Sequence, residues 1–198
     1  MLVINVRAVM KTSMLALILS TTTASVALGQ EQTLVTGSME SGGMGAPVVK
    51  FSEVAGQFAL FVGGRGGWII NHTFLIGAGG YGLANDIDLD GFPPRRDLEL
   101  GYGGLDLEYI NSSNNLIHFT VQGLVGGGGL TTRLQYIFES EAVFVLEGGA
   151  NIVLNITPYF RMGIGGGYRW VTDVDIRIVS SAALSSGYGS LTFKFGKF

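Results

Sequence analysis

The stretch QFALFVGGRGGWIINHTFLIGAGGYGLA, Gln57 to Ala84, decides the fold. It holds two apolar segments of strand length, each with a glycine cluster at its middle, joined by the polar pair Asn71 and His72. Successive side chains of a strand point to opposite faces. Phe58, Leu60, Val62, Gly64, Gly66, Trp68 and Ile70 therefore share one face, and Gln57, Ala59, Phe61, Gly63, Arg65, Gly67 and Ile69 share the other. The first face is greasy and carries a tryptophan near its end; the second is small and holds the only charge. In water the apolar face of such a hairpin turns to a core. In a bilayer it looks outward, and the small polar face fills a lumen.

Composition separates these two cases. Only 14% of the 198 residues are charged, and 32 glycines stand against 4 prolines. Glycine is thus about twice its usual share of ~7%, and mean hydropathy is +0.40. After the N-terminal region no apolar run reaches the ~18 residues of a spanning helix. A glycine-rich, apolar chain without spanning helices has the composition of a β-barrel in lipid. The chain has no cysteine, which removes disulfides, thiolate metal sites and lipidation at cysteine.

At the N-terminus, Arg7 and Lys11 precede the apolar Met14 to Leu19, small residues follow, and Ala27-Leu28-Gly29 forms a small-x-small cleavage pattern. Residues 1–29 read as a secretory signal peptide, with Met10-Lys11-Thr12 resembling its ordinary start. Its removal leaves 10 basic and 15 acidic residues, a net charge of −5, which argues against nucleic acid as a partner. Residues 30–46 read as a flexible lead-in and residues 47–198 as the barrel.

Alternation then predicts eight strands: 47–54, 57–70, 73–84, 98–110, 115–126, 142–155, 159–171 and 186–198. In the fourth, Leu98, Leu100, Tyr102, Leu105, Leu107 and Tyr109 share the outer face only if one residue is skipped. A bulge is therefore expected at Gly103-Gly104, where it costs least. Glu99, Asp106 and Glu108 then face inward. Short turns at 71–72, 111–114 and 156–158 fall on one side. Long loops at 85–97, 127–141 and 172–185 fall on the other, beside one tight turn at 55–56. Short periplasmic turns with longer external loops are the bacterial outer-membrane pattern.

The chain ends Phe193-Lys194-Phe195-Gly196-Lys197-Phe198. This resembles the C-terminal strand that the barrel assembly machinery recognises, with Phe193, Phe195 and Phe198 as the signal. The positions alternating with Phe198 are Gly196 and Lys194, so the other two aromatics sit one step off the usual pattern. The whole mature chain resembles a small eight-stranded bacterial outer-membrane barrel of the outer membrane protein A/X type, with a Bacteroidota-like ending. The resemblance implies an all-β antiparallel transmembrane barrel in the bacterial outer membrane, contacting outer-membrane lipid and, during biogenesis, the assembly machinery.

The expected inward charges are Arg65, Arg161, Arg169 and Lys194 against Glu99, Asp106, Glu108 and Glu147. Four of each sign predict mutual pairing, since an unpaired ion away from water costs several kcal/mol. Eight strands enclose just enough room for side chains, although the glycines leave lumen volume for water or a slim ligand. Asp86, Asp88, Asp90 and Asp97 match the spacing of a calcium loop, with Gly91 sixth. Flanking helices are missing, Pro93 and Pro94 interrupt the loop, and an acidic external loop is also well served by solvation. No other cofactor is implied.

No enzyme is expected. Small barrels that modify lipid A use a histidine with serine and an acid near the outer leaflet. The two histidines here, His72 and His118, fall at the periplasmic end, out of reach of Ser140. The glycine run 126–129 lacks the lysine and helix of a phosphate loop. The leading expectation is a structural or interaction barrel with a closed lumen, whose external loops meet a surface partner through Phe92, Arg95, Arg96, Arg133, Tyr136 and Phe138. A narrow pore or small-ligand transporter lined by the inward arginines and glutamates is the alternative. A soluble lipid-binding barrel is the third.

Overall fold

Alternating burial runs through every strand of the computed structural model, which describes residues 40–87, 97–134, 137–172 and 181–198. The strands are β1 Ser41–Val54, β2 Gln57–Ile70, β3 Phe74–Leu83, β4 Asp97–Ile110, β5 Ile117–Leu134, β6 Ile137–Thr157, β7 Phe160–Thr172 and β8 Ser186–Lys197. Each pairs antiparallel with the next and β8 pairs with β1, closing an eight-stranded barrel. A single helical turn, α1 Ser181–Leu184, precedes β8. Closure leaves no sheet edge along the paired wall, which is how a strand can be stable where water cannot satisfy its backbone.

Turn chemistry sorts the two ends. Ala55 and Gly56, at φ 51° and 78°, make the two-residue β1–β2 hairpin, the left-handed pair that matches strand twist. Asn71 and His72 adopt φ 50° and 54° in a three-residue β2–β3 turn closed by the Thr73 amide donating to the Ile70 carbonyl at 3.0 Å. The β2–β3, β4–β5 and β6–β7 connections share one end, the turn end. The β1–β2, β3–β4, β5–β6 and β7–β8 connections share the other, the loop end.

Three expectations change. First, β1 starts at Ser41, so residues 41–46 belong to the barrel wall and not to the lead-in. Second, the span 127–141 is no loop: β5 runs on to Leu134 and β6 begins at Ile137, paired from Leu134↔Ile137 onward. Its glycines read as loop, yet β5 is held by β4 on one side and β6 on the other. Third, there is no bulge at Gly103-Gly104. The register passes without a break through Gly80↔Gly103 and Gly79↔Gly104 on one side and Gly103↔Gly127 and Gly104↔Gly126 on the other. Leu98, Leu100 and Tyr102 consequently point inward and are buried, while Glu99 is on the exposed outer face.

Outside, the barrel wall is apolar and ends in aromatic rims. Trp68, Phe74, Tyr109, Phe119, Tyr159 and Phe195 are exposed near the turn end; Phe51, Phe58, Phe144, Tyr168 and Trp170 are exposed near the loop end. Phe58 and Trp68 are ten positions apart on β2. At ~3.4 Å per residue and a tilt of ~40°, that spans about 25 Å, the height of an outer-membrane apolar band.

Glycine serves two different purposes in the wall. Each inward tyrosine lies across from a glycine on the adjacent strand: Tyr81↔Gly63, Tyr102↔Gly128 and Tyr188↔Gly167. A Cβ on Gly167 would come within 2.6 Å of the Tyr188 hydroxyl, and one on Gly63 within 2.7 Å of the Tyr81 ring. These glycines are therefore covered by rings rather than leaving open lumen. Outside the wall lies a shallow depression lined by Gly45, Pro47, Gly64, Ala78 and Gly80 and walled by Phe195. At Gly104 and Gly126, which face each other across β4 and β5, a Cβ on either would lie 2.6 Å from the other's Cα. G104A is expected to force the two backbones apart and cost about 1–3 kcal/mol. G82A, where a Cβ meets nothing within 4 Å, serves as the neutral control in urea unfolding.

Candidate functional site

The interior is layered. At the turn end Met44, Ala46, Ile69, Leu75 and Ile110 form an apolar layer with Phe198 packed against it. At the loop end a larger apolar layer includes Val54, Phe61, Leu98, Leu130, Val145 and Leu184. Leu184 belongs to α1, which is tied down by the Ala55 amide donating to the Ala183 carbonyl at 2.8 Å. Between these layers lies a buried polar middle. It holds Lys50, Arg65 and Lys194 with Asp106, Glu108 and Glu147, while Arg161 is buried against the turn-end layer and Arg169 against the loop-end layer.

Arg65, inward on β2, is the hub of the first cluster. Its Nε donates to Asp106 Oδ2 at 2.7 Å and its Nη2 to Glu108 Oε2 at 2.9 Å, and its Nη1 donates to Gln122 Oε1. Lys194 Nζ reaches the other Glu108 oxygen, Oε1, at 2.5 Å. Asn151 extends the cluster, donating to Gln122 Oε1 at 3.2 Å and accepting from Ser190 Oγ at 3.3 Å. Each carboxylate oxygen of Glu108 thus meets a cation, the condition under which a buried ion is tolerated.

Lys50, inward on β1, anchors the second cluster. Its Nζ is 2.5 Å from Glu147 Oε2, and the Tyr102 hydroxyl donates to Glu147 Oε1 at 2.6 Å. The ammonium also sits 3.3 Å from the Tyr81 ring centroid and 4.8 Å from that of Tyr188, geometry that attracts a cation to the ring faces. Above it, Arg169 is fully buried, donating from Nε to the Leu184 carbonyl at 3.2 Å and from Nη2 to the Glu53 carbonyl at 3.4 Å. Its guanidinium lies 4.4 Å from the Phe61 centroid. Arg169 therefore ties α1 to the end of β1.

Every one of these ion pairs skips at least one strand, and those of Lys50 and Lys194 cross the lumen. Lys50 on β1 meets Glu147 on β6; Arg65 on β2 meets Asp106 and Glu108 on β4; Lys194 on β8 meets Glu108 on β4. None joins two strands that share backbone hydrogen bonds.

Seven of the eight expected lumen charges are inward and buried: Arg65, Asp106, Glu108, Glu147, Arg161, Arg169 and Lys194. Glu99 is corrected to the outer face, because the continuous register of β4 places it between inward Leu98 and Leu100. Lys50 was missed, although its alternation with Val49 and Phe51 was the available signal. The expected balance of four and four becomes five cations against three carboxylates among the buried described residues. Arg161 and Arg169 form no ion pair among them.

Phe193, Phe195 and Phe198 do not share a face. Phe195 is exposed on the outer wall and Phe193 alternates with inward Thr192 and Lys194, while Phe198 packs on the inner layer with its ring 4.0 Å from the Arg161 guanidinium. Of the calcium-loop residues, Asp86 is exposed and Asp97 opens β4. Asp88, Asp90 and the Asp97 side chain lie outside the described residues, as do Phe92, Arg95, Arg96, Tyr136 and the side chains of Arg133, Phe138 and Ser140. Among the described residues no group of three acidic or imidazole side chains is placed to hold a metal. His72 Nε2 is 2.7 Å from Glu40 Oε2 at the turn end. His118 is buried on β5, its Nδ1 3.3 Å from the Asn115 carbonyl oxygen.

A closed, eight-stranded antiparallel barrel with an apolar wall and a filled polar interior is the fold of the small outer-membrane β-barrels. Among solved structures the chain is similar to Neisserial surface protein A, at 13% identity over 82% of this chain and 100% of that one, with a TM-score of 0.62. It is similar to the N-terminal barrel domain of OprF from Pseudomonas aeruginosa, at 10% identity over 80% and 99%, TM-score 0.58. The attachment invasion locus protein Ail of Yersinia pestis aligns at 12% identity over 79% and 97%, TM-score 0.50. No protein-family model matches the chain, and no curated protein does.

Proposed function

We propose that the chain is a bacterial outer-membrane barrel of the structural or interaction type. Its turn end faces the periplasm and its loop end the exterior, and it is a rigid anchor that presents the loop-end segments and the β5–β6 ribbon to a surface partner. The observation that carries this reading is the layered interior. Among the described residues two apolar layers cap a cross-braced set of buried charges, packing that supports a closed lumen. The aromatic rims about 25 Å apart support placement in lipid, and the absence of a histidine at the loop end among the described residues leaves the lipid-modifying chemistry of small barrels without a base.

Planar-bilayer recording tests the closed lumen. The folded protein is expected to give no channel events at voltages that open a control porin. Steady conductance that changes when Arg161 and Glu147 are neutralised would establish the transport reading instead. Fractionation tests the location: the protein is expected only in detergent-extracted membranes, with heat-modifiable gel mobility, and recovery without detergent would favour a soluble lipid-binding barrel.

A further inference from the structure

The buried charges do not cancel. Arg65 holds Asp106 and shares Glu108 with Lys194, and Lys50 holds Glu147, but Arg161 has no side-chain carboxylate partner among the described residues. Arg161 is only 8% exposed. It makes one hydrogen bond there, from Nη1 to Ser113 Oγ at 3.3 Å, and its guanidinium is covered by the Phe198 ring. A guanidinium offers five N–H donors, and a buried cation without a counter-charge is costly.

Arg161 borders a small cavity together with Lys194, Glu108, His118, Met44 and Phe198. Counted as the space open to the centre of a water-sized particle, the cavity measures about 10 Å³, which is room for about one such particle. Lys194 gives one of its three N–H donors to Glu108. Glu108 does not set the sign of the cavity, since both of its oxygens are already engaged by Lys194 and Arg65. The walls therefore combine two cations, one compensated carboxylate, the His118 imidazole and apolar side chains.

We propose that this cavity binds a single monatomic anion of the halide class, held by Arg161 and Lys194 and roofed by Phe198. The anion supplies Arg161 with the counter-charge that no described side-chain carboxylate gives it, whether or not the lumen conducts.

Crystals of the full chain in detergent, soaked in sodium bromide, test the site directly. An anomalous peak within hydrogen-bonding distance of Arg161 and Lys194 is expected. In parallel, urea unfolding is followed in sodium chloride and in sodium gluconate at equal ionic strength. Chloride is expected to shift the midpoint upward in a saturable way, and R161Q to lose that shift while retaining the barrel. Should R161Q fail to fold, R161K is the second variant, expected to fold and to show a smaller chloride shift. A cavity without bromide, or a wild-type midpoint that is the same in chloride and gluconate, overturns the proposal.

Discussion

Replacing Glu108 with glutamine is expected to destabilise the barrel by about 3–5 kcal/mol, the cost of removing one partner from a buried ion pair. Two cations depend on this carboxylate, Lys194 at 2.5 Å and Arg65 at 2.9 Å, and neither has water to fall back on. Glutamine keeps the shape and one acceptor oxygen, so the loss reports charge rather than volume. The measurement is reversible urea unfolding from lipid vesicles, read by Trp68 and Trp170 fluorescence. A change below ~1 kcal/mol would mean that the lumen is wetter than the burial of these groups implies. E99Q, on the outer face, is expected to shift the midpoint little, which separates the corrected register from the bulged one.

The second large effect is at Lys50. K50M alone is expected to cost a similar 3–5 kcal/mol, because Glu147 keeps its charge with only the Tyr102 hydroxyl at 2.6 Å to satisfy it. The double variant K50M/E147L is expected to recover most of that loss, since a buried pair replaced by apolar side chains of similar volume is often neutral. A double-mutant cycle read by the same unfolding assay isolates the coupling. Additive effects of the two substitutions would show that Lys50 is held by the Tyr81 and Tyr188 rings rather than by Glu147.

Strand alternation alone located the inward face of β2 and β5 to β8, because mid-barrel positions contrast sharply: Arg65 against Gly64, Glu147 against Leu146, Arg161 against Met162. The same rule failed at the loop end of β4. There the interior is itself apolar, so Leu98 and Leu100 carry the hydropathy of lipid-facing residues while pointing into a core, and Glu99 looks inward on composition alone. Lys50 was legible by alternation, yet it sits in a stretch where Pro47 and Val48 blur the contrast. The pairing of the charges was not legible at all. Which residues meet across a lumen depends on the stagger of strands that never touch, and no local sequence pattern encodes that. The tyrosine rings over Gly63, Gly128 and Gly167 depend on cross-strand register in the same way, so glycine read as empty space when it marks where a ring lies.

That the Lys50–Glu147 and Lys194–Glu108 pairs span the lumen has a consequence for how the barrel is made. A partly formed sheet, even with most of its backbone ladder in place, holds Lys50 apart from Glu147 and Lys194 apart from Glu108, residues 97 and 86 positions distant in the chain. The gain from these two pairs arrives only when β8 meets β1, whereas Arg65 meets Asp106 and Glu108 within the β2–β3–β4 sheet and can pair before closure. Closure is thereby made cooperative: an open ribbon in the bilayer leaves Lys50, Glu147 and Lys194 without their partners, and the ring that zips shut pairs them together.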